Sequence, residues 1–256
     1  MSSNSETSYF RTIFPMGKAT TANSPQAAAA PTAATATKTA ATSSTTAGRV
    51  YAGQSQQQRK AQRRQQFLQA GLEVFGTEGF RNATVRGLCR QAQLTDRYFY
   101  SEFGNLEGLL QAVYGQCMDG IKQQLFNAFS QAQPGGQIET LAQQGLAAFF
   151  AAMQDARVAR VCMLELEGVS TATDRFYHGY MQDFANMVMT LARTVHPHWQ
   201  LSDEEYALLG TGFIGAMRQV TTYWLQSGCS ASQQTLVSTG MRMIMGLVRQ
   251  LEAEQT

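Results

Sequence analysis

Leu94-Thr95-Asp96-Arg97-Tyr98-Phe99-Tyr100-Ser101-Glu102-Phe103 is the stretch on which the fold turns. Thr95 reads as an N-cap, because its hydroxyl can accept a hydrogen bond from a free amide of a first helical turn. Phe99 and Phe103 stand one turn apart and face inward together. Arg97, Tyr98 and Tyr100 are thereby left pointing to solvent, a poor core but a useful groove reader. Just upstream, Thr84 opens another short helix that buries Val85, Leu88 and Ala92, and Gln93-Leu94 is the tight junction between the two. Leu68, Leu72 and Phe75 recur at i, i+4 and i+7, the stripe of a preceding amphipathic helix. That helix should end at Gly79, with Phe80 folding back onto Phe75. Three short helices with such a junction make a helix-turn-helix.

Charge follows the same division. Residues 59–101 hold eight basic side chains (Arg59, Lys60, Arg63, Arg64, Arg81, Arg86, Arg90, Arg97) and three acidic ones (Glu73, Glu78, Asp96), a net +5. From residue 102 to the end the balance is eight basic to fourteen acidic, a net −6. A basic module on an acidic body is the pattern of a polyanion binder with a regulatory body. Arg97 can donate a bidentate pair to guanine O6 and N7. Lys60, Arg63 and Arg64 precede or open the first helix and can reach the flanking DNA backbone. The amides capped by Thr84 and Thr95 are ready phosphate sites.

Between Ala19 and Ala47, 24 of 29 residues are Ala, Ser or Thr. Such a stretch has nothing large to bury against its ordering entropy, so residues 1–55 read as a disordered tail. Residues 56–104 read as the DNA-binding domain and 105–256 as a helical ligand-binding and dimerisation domain. Cys89, Cys117, Cys162 and Cys229 fit no zinc spacing and read as small core fillers in a reducing compartment. No apolar run approaches the ~20 residues that span a bilayer, and the N-terminus lacks the apolar core of a secretory signal. A cytoplasmic location is expected.

After the head only helical signals appear. A long fourth helix begins at Asn105 with the seam Leu106, Leu110, Val113, Cys117, Ile121 and Leu125, and Pro134-Gly135-Gly136 breaks it. Helices are expected over Ile138–Asp155, Arg157–Val169 and Thr173–Val195. Ser202-Asp203-Glu204-Glu205 is a capping box that opens another, to about Gln226. The last runs from about Ser232 to Glu252. The fold class is therefore all-α, with about nine helices: a three-helix head and a larger helical bundle.

In the body, Phe126, Phe150, Met153, Met163, Phe176, Tyr180, Phe184, Phe213 and Met217 are candidates to line an apolar pocket. Glu165, Glu167 and His178 are candidate polar fixtures in it. On the last two helices Gly212, Gly215, Leu236, Gly240, Met243 and Leu247 combine small residues with an apolar stripe, which suits a two-fold four-helix interface. His196-Pro197-His198 is too isolated to argue for a metal, and neither metal nor cofactor is expected.

Phe75-Gly76-Thr77-Glu78-Gly79-Phe80, Ala83-Thr84-Val85 and Leu94–Phe103, all within Arg63–Leu110, closely resemble the DNA-binding domain of TetR-family repressors. The resemblance implies that Thr84 and Tyr100 clamp phosphates while Thr95, Arg97 and Tyr98 face the major groove. It also implies a homodimer on a palindromic operator in double-stranded DNA, released by a small-molecule effector. Three positions depart from the family pattern. Gln93 stands where the turn usually carries glycine, Leu106 stands where a phosphate-binding lysine is usual, and Asp96 brings an acid to the DNA side.

The function expected is thus a ligand-responsive transcriptional repressor. No nucleophile–base pair, metal spacing or phosphate-binding glycine loop supports an enzyme. The alternative is a DNA-bound adaptor whose body engages a protein rather than a small molecule. A solidly packed body would favour it.

Overall fold

The computed structural model describes residues 55–130 and 138–254, which form nine α-helices and no strand among them. The tail expected over residues 1–55 thus lies outside the described residues except at Ser55, and the break at Pro134-Gly135-Gly136 lies outside them altogether. Helix α1 (Gln56–Thr77) is opened by a capping box. Ser55 Oγ accepts from the Gln58 amide at 3.2 Å and Gln58 Oε1 accepts from the Ser55 amide at 2.7 Å. Its end follows the expected design. The Glu78 and Gly79 amides both donate to Val74 O, at 2.8 and 3.2 Å. Gly79 takes φ +87°, which a side chain would strain, and the Phe80 ring returns to within 5.7 Å of Phe75.

A 3₁₀ turn (Phe80–Asn82) leads to α2 (Val85–Ala92), which Thr84 caps by accepting from the Gly87 amide at 3.1 Å. Helix α3 (Asp96–Phe103) follows, then α4 (Leu106–Ser130), where Asn105 Oδ1 accepts from the Gly108 amide at 2.8 Å. The body continues with α5 (Ile138–Ala152), α6 (Ala156–Arg160), α7 (Thr171–Val195), α8 (Asp203–Gln226) and α9 (Gln233–Glu254). The capping box at Ser202 forms as read: Glu205 accepts from the Ser202 amide at 2.7 Å, and Ser202 Oγ accepts from the Glu205 amide at 3.2 Å.

Two expectations need correction. The single helix expected over Arg157–Val169 is instead the short α6, a π turn over Val161–Glu165, and a bend. Cys229 is no core filler: it is exposed, in a left-handed turn (φ +57°) whose amide donates to Trp224 O at 2.9 Å.

The helices pack chiefly as α7 on α8, α4 on α5 and α5 on α9, while α1 lies against α2, α4 and α6. Head and body share one continuous apolar core, from Phe67 and Phe99 through Leu109, Val113 and Met118 to Phe184 and Met217. The approach of α1 to α6 is close enough to require glycine. A Cβ at Gly76 would sit 2.4 Å from Arg157 Cβ and 2.6 Å from its Cα, inside van der Waals contact with backbone.

Candidate nucleic-acid interface and body cavity

The two phenylalanines of α3 set the orientation of its outer face. Phe99 is fully buried with its ring edge-on to Phe67 at 5.6 Å, and Phe103 meets Phe67 at 5.8 Å. Arg97, Tyr98 and Tyr100 therefore lie outside, the tyrosines 40% and 55% exposed. Thr84 and Thr95 are exposed beside them. Thr95 holds the N-cap position, but its hydroxyl makes no capping bond. Asp96 takes that task, its Oδ1 accepting from the Arg97 amide at 2.8 Å. The acid expected to face DNA is thus engaged with its own helix start, where negative charge is favourable.

The basic residues of α1 are less free than the sequence suggests. The Arg63 guanidinium lies over the Tyr98 ring at 4.4 Å. Arg64 lies over Phe103 at 5.1 Å and donates to Glu102 at 2.9 Å, and Lys60 reaches the same carboxylate at 3.5 Å. Glu102, which is absent from the sequence-derived site, therefore anchors two of the cations expected to reach phosphates. Its position one residue before Phe103 was the available signal, since it must emerge beside the face that α1 covers.

At the turn, Gln93 adopts φ 56°, ψ 38°, a left-handed conformation that normally falls to glycine. Its amide donates to Arg90 O at 3.3 Å, and the Leu94 amide to Cys89 O at 3.0 Å. The turn thus carries a side-chain-bearing residue in a left-handed, strained conformation. Gln93→Gly should therefore raise stability by about 1 kcal/mol, read as a higher urea midpoint with an unchanged slope. A fall in midpoint would mean that the Gln93 side chain supplies more than the backbone strain removes. Leu106 packs against the core, as its departure from lysine suggested.

A charged strap joins the head to α6 and the π turn. Glu165 accepts from the Phe80 amide and from Arg160 Nε, both at 2.7 Å, and Arg160 Nη1 donates to Thr77 O at 2.8 Å. Arg157 bridges Glu73 and Asp155, each at 2.7 Å, and its hydrogen bonds hold the Asp155 carboxyl below the usual carboxylate range. Glu165 is thus a strap residue, not the pocket fixture expected. Glu167 pairs with Arg218, and His178 is exposed with its ring against Tyr177. Neither is a pocket fixture.

The body holds an almost wholly apolar, partly open cavity of about 170 Å³. Of the nine pocket candidates, Met163, Phe184, Phe213 and Met217 line it. Phe126, Phe150, Met153, Phe176 and Tyr180 do not. Phe150 and Met153 are solid core, while Phe176 and Tyr180 meet Tyr114 edge-on, with ring centres at 6.2 and 5.5 Å. Burial drives the Tyr114 hydroxyl far above its ordinary pKa, and burial with the neighbouring Asp119 pushes Tyr180 up to about 12. Both are neutral phenols at physiological pH. The walls come instead from Met118 and Leu125 of α4, Phe149 of α5, Cys162 of the π turn, and α7, α8 and α9. Arg218 is the charged group in the lining. The Cys162 thiol is raised by the neighbouring Cys117 thiol and by burial.

The interface candidates divide as well. A Cβ at Gly212 or Gly215 would meet open space, and Met243 is 43% exposed. Leu236 and Gly240 are buried within the chain itself, where a Cβ at Gly240 would meet Leu146 methyls at 2.9 Å. Leu247 faces the cavity. The apolar stripe of α9 therefore serves its contact with α5 in large part. Leu208 and Tyr223 of α8, 66% and 70% exposed, join the outward set.

Residues 67–113 match the family described as bacterial regulatory proteins, tetR family. No curated protein matches the sequence significantly. Among solved structures, the fatty acid degradation regulator FadR from Bacillus halodurans aligns over 72% of this chain and 95% of its own, with TM-score 0.59 and 20% identity. FadR from Bacillus subtilis, solved in complex with stearoyl-CoA, aligns over 70% and 96%, with TM-score 0.61 and 15% identity. A TetR-like transcriptional regulator from Rhodococcus sp. RHA1 aligns over 73% and 96%, with TM-score 0.56 and 16% identity. At these identities the structures are alike in fold alone, and it is the match over residues 67–113 that places the helix-turn-helix. Residues 67–113 thus form a helix-turn-helix head of the tetR-family type, on an all-helical body that shares the fold of these structures.

Proposed function

We propose that the chain is a homodimeric, ligand-responsive repressor that reads a palindromic operator through α3 and leaves it when a small, largely apolar effector enters the body. The observation that carries this reading is the double use of α4. Its Met118 and Leu125 form cavity wall. Its Leu109 and Val113 form the bed of α1, where a Cβ at Gly71 would meet Val113 Cγ2 at 2.7 Å. Anything that widens the cavity displaces the helix on which the head rests. Pockets for drug-sized ligands are about 300–1,000 Å³, so an effector larger than this cavity pushes its walls apart. Methionines at Met118, Met163, Met181, Met187, Met189 and Met217 make them adaptable. Release then follows if the effector binds the widened form better. A hollow body also favours a small molecule over a protein partner.

On the DNA side, Arg97 is assigned a base edge, with Tyr98 and Thr95 beside it in the major groove. Thr84 and Tyr100 are assigned phosphates, and Lys60 and Arg63 the flanking backbone. One reading helix of eight residues gives little affinity alone. Two heads about 34 Å apart on one face of the duplex are therefore required. The outward faces of α8 and α9, at Leu208, Gly212, Gly215, Tyr223 and Met243, are assigned to the two-fold contact.

The test is retardation of DNA fragments flanking the chain's own gene, at physiological salt, by the full chain and by Arg97→Ala/Tyr100→Ala. Binding should fall at least a hundredfold in the variant, and added long-chain acyl-CoA, the ligand class held by Bacillus subtilis FadR, should release the unchanged protein. Equal binding by both proteins would remove α3 as the reader. Binding lost in the variant but indifferent to acyl-CoA would leave the reader and discard that effector class.

A further inference from the structure

The pair His196-Pro197-His198 gains in the fold the third donor that its sequence neighbourhood lacks. His196 closes α7, and the last turns of α9 bring Glu252 against both rings. His196 Nδ1 lies 2.9 Å from Glu252 Oε1, and His198 Nε2 lies 3.1 Å from each carboxylate oxygen. One donor atom from each residue falls within 4.8 Å of the others. Two imidazoles and a carboxylate are the donor set of three-ligand zinc sites that keep a coordination position open.

We propose that His196, His198 and Glu252 form a site for a first-row divalent cation, with Zn²⁺ the fitting ion. The site is braced from behind. The His196 ring stacks on Trp199 at 4.3 Å with planes 4° apart, and Trp199 Nε1 donates to Glu252 Oε1 at 2.8 Å. Such outer partners fix ligand orientation and make a carboxylate a better-defined donor. Access is one-sided: the His196 side chain is 14% exposed, those of His198 and Glu252 51% and 43%. Zn–N and Zn–O distances of about 2.0–2.2 Å require the donors to spread only slightly from their present hydrogen-bonding distances. The ion would tie the α7–α8 connection to the end of α9. It would thereby hold Trp199, which together with Leu251 lines the cavity, in place.

The test uses the full chain stripped with EDTA and titrated with Zn²⁺ against a chromogenic chelator, beside His198→Ala and Glu252→Gln. The unchanged chain should take up one Zn²⁺ and gain a cobalt d–d spectrum with Co²⁺, and its melting temperature should rise with Zn²⁺. His198→Ala, an exposed change that leaves the fold intact by circular dichroism, should weaken Zn²⁺ at least tenfold and abolish the cobalt bands. Absence of saturable binding overturns the proposal. So does uptake that falls less than tenfold in His198→Ala, which would assign the ion to other donors such as the thiols.

Discussion

A Phe99→Ala chain should bind no DNA fragment that the unchanged protein binds. Phe99 is completely buried and joins three rings, lying 5.6 Å from Phe67, 5.5 Å from Tyr100 and 5.9 Å from Phe103. Truncating such a side chain costs about 3–5 kcal/mol, from lost transfer energy and the void left behind. That is a large part of the ~5–15 kcal/mol that holds an ordinary domain together. It falls on a helix of eight residues whose buried residue is Phe99 itself. With the anchor gone, α3 no longer presents Arg97 and Tyr100 along one line. Urea denaturation should show the loss directly, and far-UV dichroism should keep most of the signal because the greater part of the helical residues lies in α5 to α9 and the far end of α4. A loss below about 1 kcal/mol with DNA binding retained would mean that Phe67 and Phe103 can close over the gap.

The second large effect is expected at Glu165. Its side chain is 11% exposed and serves two donors, the Phe80 amide and Arg160 Nε. Glu165→Ala leaves a shielded N–H without a partner and a guanidinium with only Thr77 O. Hydrogen bonds to a charged group are worth about 1.5–3 kcal/mol each, so a loss of about 2–3 kcal/mol is expected. The neighbouring bridge offers a control. Glu73 and Arg157 are 39% and 37% exposed, and Glu73→Ala should cost less than about 1 kcal/mol. Hydrogen exchange separates the two, because only Glu165→Ala should speed exchange at Phe80. Equal effects of both substitutions would show that the strap acts through net charge and not through the shielded amide.

The local features of this fold could be read from the chain because they are made by residues a few positions apart. Phe75 and Phe80 around Gly79, Thr84 on Gly87, Ser202 with Glu205, and the inward pair Phe99 and Phe103 all depend on helical spacing. What escaped depends on partners far along the chain. Glu102 meets Lys60 and Arg64, Glu165 meets Phe80, and Glu252 meets His196 and His198. Periodicity gives the buried face of a helix but not what lies across from it. Thus Phe150 is core while its neighbour Phe149 reaches the cavity, and Gly240 adjoins Leu146 where a stripe of small residues suggested a second chain. The π turn widens the helix at Val161–Glu165 without a signature in composition.

Glu102 gives the head an internal counterion. Before any nucleic acid arrives, Lys60 and Arg64 have already exchanged part of their mobile ion atmosphere for a fixed carboxylate. A phosphate that recruits either cation must therefore displace a side chain as well as dissolved anions. The entropy gained by freeing salt, which draws basic proteins to any stretch of duplex, is correspondingly smaller for this one. On the proposed assignment of Arg97 to a base edge, loose, sequence-blind attachment would be weakened more than binding at a matching site. A carboxylate set among cations would then act as a threshold, one that a non-matching stretch of duplex does not pass.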